Sequence, residues 1–249
     1  MAELHPVEGL SESYARWRSR QLGRITDRLE RQLLLEMLGP MAGKTALDAG
    51  CGDGAVAAEL ARLGANVIGL DPDAKLIATA KQGAGVEKER LRFVRGRIER
   101  LPFAAGSFDV VLAVTVLCFV PDSAQAVKEM ARVLKPGGKL VIGELGYWSL
   151  WAAYRRIRGW LGHPTWRAAR FRNAAELRAL AEAAGLEVHD VRGAVYYPPC
   201  DAAARLFASL DLRLGRQTTF GAAFLVMMAS KPGRWDGSGQ PPGQILSVR

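Results

Sequence analysis

Ala46-Leu47-Asp48-Ala49-Gly50-Cys51-Gly52-Asp53-Gly54 links a short apolar strand, Thr45 to Ala49, to a helix that starts at Ala55. Glycine adopts positive φ without steric cost, so a strand-to-helix turn this rich in glycine can curl tightly and aim backbone N–H groups at a ligand. Outward from that turn, strand and helix patterns alternate. Asn66 to Leu70 is a β-branched strand, Asp73 to Lys81 is helical, Leu91 to Val94 is a strand, and Phe108 to Val114 is an almost wholly apolar strand. Asp122 to Leu134 is a helix with Val127, Met130, Ala131 and Leu134 on its buried face, and Asp122 with Gln125 resembles a capping box. Pro136-Gly137-Gly138 turns the chain into a strand from Lys139 to Glu144. Upstream, residues 11–40 read as helical: Ile25, Leu29, Leu33 and Met37 recur every fourth residue until Gly39-Pro40 stops them. Strands separated by helical crossovers imply an α/β fold, a parallel sheet with helices on both faces.

After residue 145 the rhythm changes. Trp148 to Arg172 is aromatic and basic, with Trp148, Trp151, Tyr154, Ile157 and Trp160 recurring about every third residue as a helical stripe. Asn173 with Glu176 caps a further helix that runs to Gly185. Leu186 to Val191 and Phe220 to Ala229 read as two last strands, with a helical insertion near Asp201 to Leu214 between them. The tail after residue 232 is rich in Gly, Pro, Gln and Ser and is expected to be unstructured.

Composition bounds the function. The chain has 249 residues, 49% hydrophobic and 24% charged, which suits one large globular domain and excludes wholesale disorder. Its longest run free of charge, Gly and Pro is Val110 to Val120, too short for the roughly 20 residues of a membrane span. Met1 to Leu10 carries Glu3 and Glu8 and no apolar segment, so no secretory leader is expected there. Cys51, Cys118 and Cys200 make no C-x-x-C pair, which argues against a disulfide framework and a zinc site and makes the cytoplasm the expected compartment. The net charge of +9 admits an anionic partner. Arginine, however, outnumbers lysine 26 to 8, as a GC-rich genome writes without functional demand.

The glycine loop taken as G-x-G-x-x-G/A through Gly50, Gly52 and Ala55 fits a dinucleotide site. Asp71, at the end of the next strand, can accept both hydroxyls of a ribose, whether of NAD or of another adenosine cofactor. The wider pattern separates these. L-D-A-G-C-G-D-G, V-I-G-L-D, L-P-F-A-A-G-S-F-D-V-V and R-V-L-K-P-G-G-K-L-V-I follow one another between residues 45 and 145. With these four blocks the chain resembles the class I S-adenosyl-L-methionine (SAM)-dependent methyltransferases, and most closely the branch that includes ubiquinone- and menaquinone-biosynthesis enzymes. Tyr14-x-x-Trp17 and Leu22-Gly23 look like that branch's lead-in.

The resemblance implies a Rossmann-like, seven-stranded, mostly parallel sheet with a reversed last strand. It implies SAM as cofactor, held by Asp48, Gly50, Cys51, Gly52 and Gly54 around the methionine part and by Asp71 and Pro72 at the ribose. Val114 and Thr115, at the end of the strand Phe108 to Val114, count among the cofactor residues too, and Arg97 and Ile98 would flank the adenine. Relatives often place an acid where Arg97 stands; a guanidinium only donates, so the adenine contact is altered here and falls to Glu99 or a backbone carbonyl. The same resemblance divides the chain into a helical lead-in (1–44), a methyltransferase domain (45–232) with substrate-side insertions at 146–172 and 194–218, and the tail (233–249).

Methyl transfer from a sulfonium needs alignment more than acid–base help. Thr115 to Val120 holds no acid, no His and no Asn-Pro-Pro-Tyr; Cys118 in this apolar run reads as a small buried hydrophobe. Candidates for a base are Tyr14, Glu144, Tyr147, His163, Tyr196 and Tyr197. From Tyr147 to Arg172 there is no Asp or Glu. That segment is open to three readings: ordinary packing with solvated arginines, a lid over an apolar or anionic acceptor, or a basic amphipathic helix resting on anionic membrane. The expected function is methylation of a small molecule, quinone-precursor-like or lipid-like. A non-catalytic SAM-binding regulator and an RNA-modifying methyltransferase stand as alternatives, the latter without a visible RNA-binding module.

Overall fold

The computed structural model describes residues 16–233. Its elements run α1 (Gln21–Leu38), β1 (Thr45–Ala49), α2 (Ala55–Arg62), β2 (Asn66–Asp71), α3 (Ala74–Gly83), β3 (Leu91–Arg95), β4 (Phe108–Val114), α4 (Ser123–Val133), β5 (Leu134–Leu145), α5 (Leu150–Trp160), α6 (Pro164–Ala168), α7 (Ala174–Ala183), β6 (Glu187–Ala194), α8 (Asp201–Gly215) and β7 (Phe224–Ser230). The seven strands form one sheet in the order β3-β2-β1-β4-β5-β7-β6. The first five are parallel, and β7 runs antiparallel to both β5 and β6.

Side chains alternate across the central strands and divide the core in two. Val110 and Leu112 point to one face, where Leu29, Leu33 and Met37 of α1, Leu60 of α2 and Ile77 of α3 cover them. Val111 and Ala113 point to the other, under Val127 and Met130 of α4 and Leu177 and Ala181 of α7. The lead-in helix α1 is therefore a layer of the domain itself rather than an appendage.

Helices α3, α4, α5 and α7 start at side-chain caps. Asp73 Oδ1 accepts from Lys75 N at 2.7 Å, and Asn173 and Glu176 form a reciprocal capping box at 3.0 and 2.8 Å. Each such cap is worth about 1 kcal/mol. At Asp122 only half of the expected box forms: its Oδ1 accepts from Gln125 N at 2.9 Å, while the Gln125 side chain turns away to Glu99 O.

Four expectations change, the first being that the strand expected from Phe220 begins at Phe224, after a turn. The helix expected over 11–40 starts at Gln21, after a separate helical turn at 16–19, and Arg20 is its extended N-cap. The strand expected from Lys139 already begins at Leu134, pairs there with Phe108, and crosses Pro136-Gly137-Gly138 as an irregularity in the ladder. The aromatic stripe does not share one face. A spacing of three residues falls about 60° short of a full helical turn at each step, so Trp151 and Trp160 end on opposite sides of α5. Trp151 is 5% exposed and Trp160 is 82% exposed. The unstructured tail expected at 233–249 lies, from residue 234 on, outside the described residues, as does Tyr14.

Candidate functional site

β1 and β4 lie side by side, but the chain leaves β1 for β2 on one side and returns to β4 on the other. At such a switch point the connections diverge and leave a crevice beyond the C-terminal ends of the strands, the usual ligand site of this architecture. The glycine loop occupies it. Gly50, Gly52 and Gly54 have φ of 87°, 55° and 78°. A Cβ at Gly50 would collide with Val116, and one at Gly54 would come within 2.7 Å of the Phe93 ring. A Cβ at Gly52 would meet nothing within 4 Å, so this glycine faces open space that a ligand can enter.

The loop is latched to β2. Gly50 N and Cys51 N both donate to Leu70 O at 2.7 and 3.0 Å. Gly52 N donates to Asp71 Oδ2 at 3.0 Å, and Asp73 N donates to Asp71 Oδ1 at 2.9 Å. Asp71 is buried, and burial raises its carboxyl against the pull of these two donors. Each of its oxygens keeps a second acceptor site, so a diol can still be held. Asp48 is 2% exposed and its Oδ2 has no hydrogen-bond partner. Burial first, and the neighbouring Asp71 second, push its carboxyl up to about 7. A buried carboxylate oxygen with nothing to accept from is costly unless a donor arrives with a ligand. The orphaned oxygen, the open side of Gly52 and the half-used Asp71 together fit a cationic ligand that carries a ribose.

The remaining sequence candidates spread around this crevice. Thr115 sits at the end of β4 with φ 52°, a left-handed conformation that L-residues adopt at a cost and that is over-represented at ligand sites; its N–H donates to Gly143 O at 2.7 Å. Val114 before it is half-buried. Pro72 is exposed, and its carbonyl accepts from Arg95 Nε at 3.0 Å. Arg97 pairs with Glu99 at 2.9 Å on the surface, while Ile98 turns inward among Leu70 and Leu101. Cys51 and Cys118 are buried, and burial pushes both thiols up, as for inert hydrophobes. One residue went unnoticed in the sequence: Arg18 pairs with Asp53 of the glycine loop at 2.6 Å. Their separation of 35 positions left no local signal.

Beside the crevice, at the end of β5, Glu144 is fully buried and pairs with Arg172 at 3.0 Å; Arg172 also donates to Ser123 Oγ at 2.8 Å. Burial raises the Glu144 carboxyl and Arg172 opposes it. Tyr147 lies two residues beyond the end of β5, its ring under the Arg156 guanidinium at 4.3 Å. A cleft of about 670 Å³ opens here, lined among others by Tyr147, Arg156, Trp160, Trp166, Arg170 and Phe171. Arg170 N donates to Cys118 O at 2.9 Å, which ties this lining to the loop after β4.

Three of the base candidates sit in packed surroundings away from the glycine loop. The Tyr196 hydroxyl donates to Thr218 O, and the Tyr197 hydroxyl lies 2.9 Å from Thr26 Oγ1; burial pushes both phenols up. His163 is the N-cap of α6 and packs against Trp166 with ring centroids 6.1 Å apart, its Nδ1 buried without a partner.

The model of a methyltransferase-domain family matches residues 47–142. A ubiquinone biosynthesis O-methyltransferase of Coxiella burnetii is 33% identical over 177 residues, 68% of this chain and 72% of that protein. One of the same description from Azorhizobium caulinodans is 32% identical over 166 residues, 65% of this chain and 66% of its own length. The matches thus span roughly two thirds of these relatives. Among solved structures, a SAM-dependent methyltransferase of Thermotoga maritima, described as a possible histamine N-methyltransferase, superposes with a TM-score of 0.69 at 25% identity, covering 89% of this chain and 96% of that one.

Proposed function

Because the chain belongs to the class I SAM-dependent methyltransferases, we propose that it methylates a small acceptor with an apolar body and a ring hydroxyl, bound in the cleft beside the end of β5. The observation that carries this reading is the chemistry of the cleft, where aromatic walls stand among arginines and Asp and Glu are missing from its lining.

When bound, SAM supplies a methyl group made electrophilic by its sulfonium. The chain's own part is placement and charge. Asp71 would accept from the ribose hydroxyls and Asp48 from the ammonium of the methionine part, with Gly52 letting the backbone close in. Thr115, held in its strained turn, marks where the cofactor crevice meets the acceptor side. Tyr147, Trp160 and Trp166 offer ring faces to an apolar aromatic body. Arg156 and Arg170 favour the ionised form of a nearby phenol, because an opposite charge lowers its pKa. The nucleophilic oxygen is then prepared by its surroundings, and no side chain has to act as a strong base. The curated O-methyltransferase relatives support the choice of oxygen. An ammonium-bearing acceptor is disfavoured, because these arginines repel it.

The test is transfer of labelled methyl from SAM to catechols and phenols with and without an alkyl chain, beside primary amines. Label on the ring oxygen, with preference for the alkylated phenols, is expected. Transfer confined to amines overturns the reading.

A further inference from the structure

Helix α8 is packed the wrong way round for an amphipathic helix. The side that faces the domain consists of Ala204, Asp211 and Gly215, with Ala208 and Leu212 partly buried. Asp211 reaches back to accept from Val195 N and Tyr196 N at 2.6 and 2.8 Å, and Gly215 lies so close to Gly193 O that no side chain fits. Those contacts set the rotation of the helix, and they leave Leu206, Phe207, Leu210 and Leu214 facing outward, 70%, 46%, 56% and 40% exposed.

Helix α5 does the same. Trp151 is anchored inward by a hydrogen bond from its Nε1 to Tyr197 O at 2.9 Å and by an edge-on contact with Trp17. The opposite face presents Leu150, Tyr154, Ile157, Trp160 and Leu161 to solvent. The two helices bracket Tyr197, and the chain next to each meets at Trp148 and Phe220, whose ring centroids are 6.4 Å apart. Among the described residues, twelve large hydrophobic side chains stand exposed, and all but Leu63 lie on α5, on α8 or on the residues that adjoin them. Scattered exposed apolar residues need no explanation, but a patch of this kind does.

The charge around the patch selects its partner. Residues 147–172 carry arginines and no acid. Arg158 lies over the Tyr154 ring at 5.8 Å, and Arg205 and Arg213 are exposed on α8, where Asp201 is the one exposed acid. At about 1.5 Å per residue neither helix approaches the roughly 30 Å of a bilayer core, and no described helix is long and apolar enough to cross a membrane. Outward Trp, Tyr, Leu and Phe rimmed by arginine is the composition of a helix that lies in the headgroup layer.

We propose that α5 and α8 together form a docking face for the surface of an anionic lipid bilayer. The face adjoins the cleft lined by Trp160 and Tyr147, so docking sets that cleft against the layer in which an apolar molecule dissolves. The inference stands on the exposed faces and their charge, independently of which acceptor is methylated.

Co-sedimentation of the full chain with phosphatidylcholine vesicles, with and without phosphatidylglycerol, tests it. Binding is expected with phosphatidylglycerol and should weaken as salt is raised. Ile157→Ser with Leu161→Ser, and separately Leu206→Ser with Leu210→Ser, should each lower partition at least tenfold. Arg158→Glu with Arg213→Glu should lower it by at least about fivefold per arginine. Unchanged affinity for S-adenosyl-homocysteine in every variant verifies that the fold is intact. Absence of binding to phosphatidylglycerol vesicles overturns the proposal, and so does loss caused by the α5 pair but not the α8 pair. A dimer in sedimentation equilibrium that the same four serine substitutions dissolve would assign the face to a second copy instead.

Discussion

Asp71→Ala separates the two jobs of this carboxylate, and both can be sized. In the free protein its oxygens hold Gly52 N–H at 3.0 Å and Asp73 N–H at 2.9 Å. Gly52 and Asp73 are half-exposed, so water can reach the stranded donors and the cost sits near the low end, about 1 kcal/mol each. Relief of the desolvated carboxylate offsets part of that. At about 2–4 °C per kcal/mol for a chain of this size, melting of the apo protein should fall by about 4–8 °C at most. The cofactor loses more. Two charge-assisted bonds to the ribose hydroxyls, each about 1.5–3 kcal/mol, correspond to a loss of roughly 10²–10⁴ in affinity. Calorimetric titration with S-adenosyl-homocysteine and scanning calorimetry of the apo protein measure the two effects separately. The diagnostic arm is a 2′-deoxy analogue of that ligand. The wild type should bind it more than tenfold more weakly than the parent, whereas Asp71→Ala should scarcely distinguish the two. An equal penalty in both proteins would refute the ribose assignment, because the cycle isolates the one interaction.

Other outcomes follow from the same geometry. Asp48 holds a proton up to about pH 7 in the folded protein, and an unfolded aspartate loses it near pH 4. Stability should therefore decline as pH rises from about 4 to 7, by at most about 4 kcal/mol, and affinity for the cationic cofactor should rise across the same window; Asp48→Asn should flatten both curves in chemical denaturation and titration. Arg172→Ala leaves Glu144 buried and unpaired and should cost about 3–5 kcal/mol in urea unfolding, with rescue on adding Glu144→Gln. Trp151→Ala should destabilise by about 3–5 kcal/mol, since Trp151 is core. Trp160→Ala should leave unfolding within about 0.5 kcal/mol of wild type and lower turnover on alkylated phenols.

Local chemistry made much of the fold legible. Alternation of strand and helix, the capping box of Asn173 with Glu176, and the glycine turn after β1 each depend on residues within a few positions of one another, and each appears in the structure where the pattern put it. Spacing misled where a periodicity of three was taken for one of 3.6, so that Trp151 and Trp160 were placed on a common face. Arg172 counted as part of a basic surface until the fold brought Glu144 and Ser123 to it. The hydroxyls of Tyr196 and Tyr197 looked available until Thr218 and Thr26 were placed against them.

The sequence by itself determined the parallel α/β order, the crevice-forming turn and the acids Asp48 and Asp71 beside it. Those features follow from steric freedom, hydrophobic period and hydrogen-bonding capacity, which each residue carries wherever the chain goes. Only the tertiary structure decided that Asp48 keeps an oxygen without a partner, that Arg18 grips Asp53 across 35 positions, and that α8 turns its leucines outward. A helical wheel shows which side of α8 is apolar but not which side the domain will hold. That depends on the backbone N–H groups of Val195 and Tyr196, which call Asp211 inward, and on Gly193, which leaves room only for Gly215.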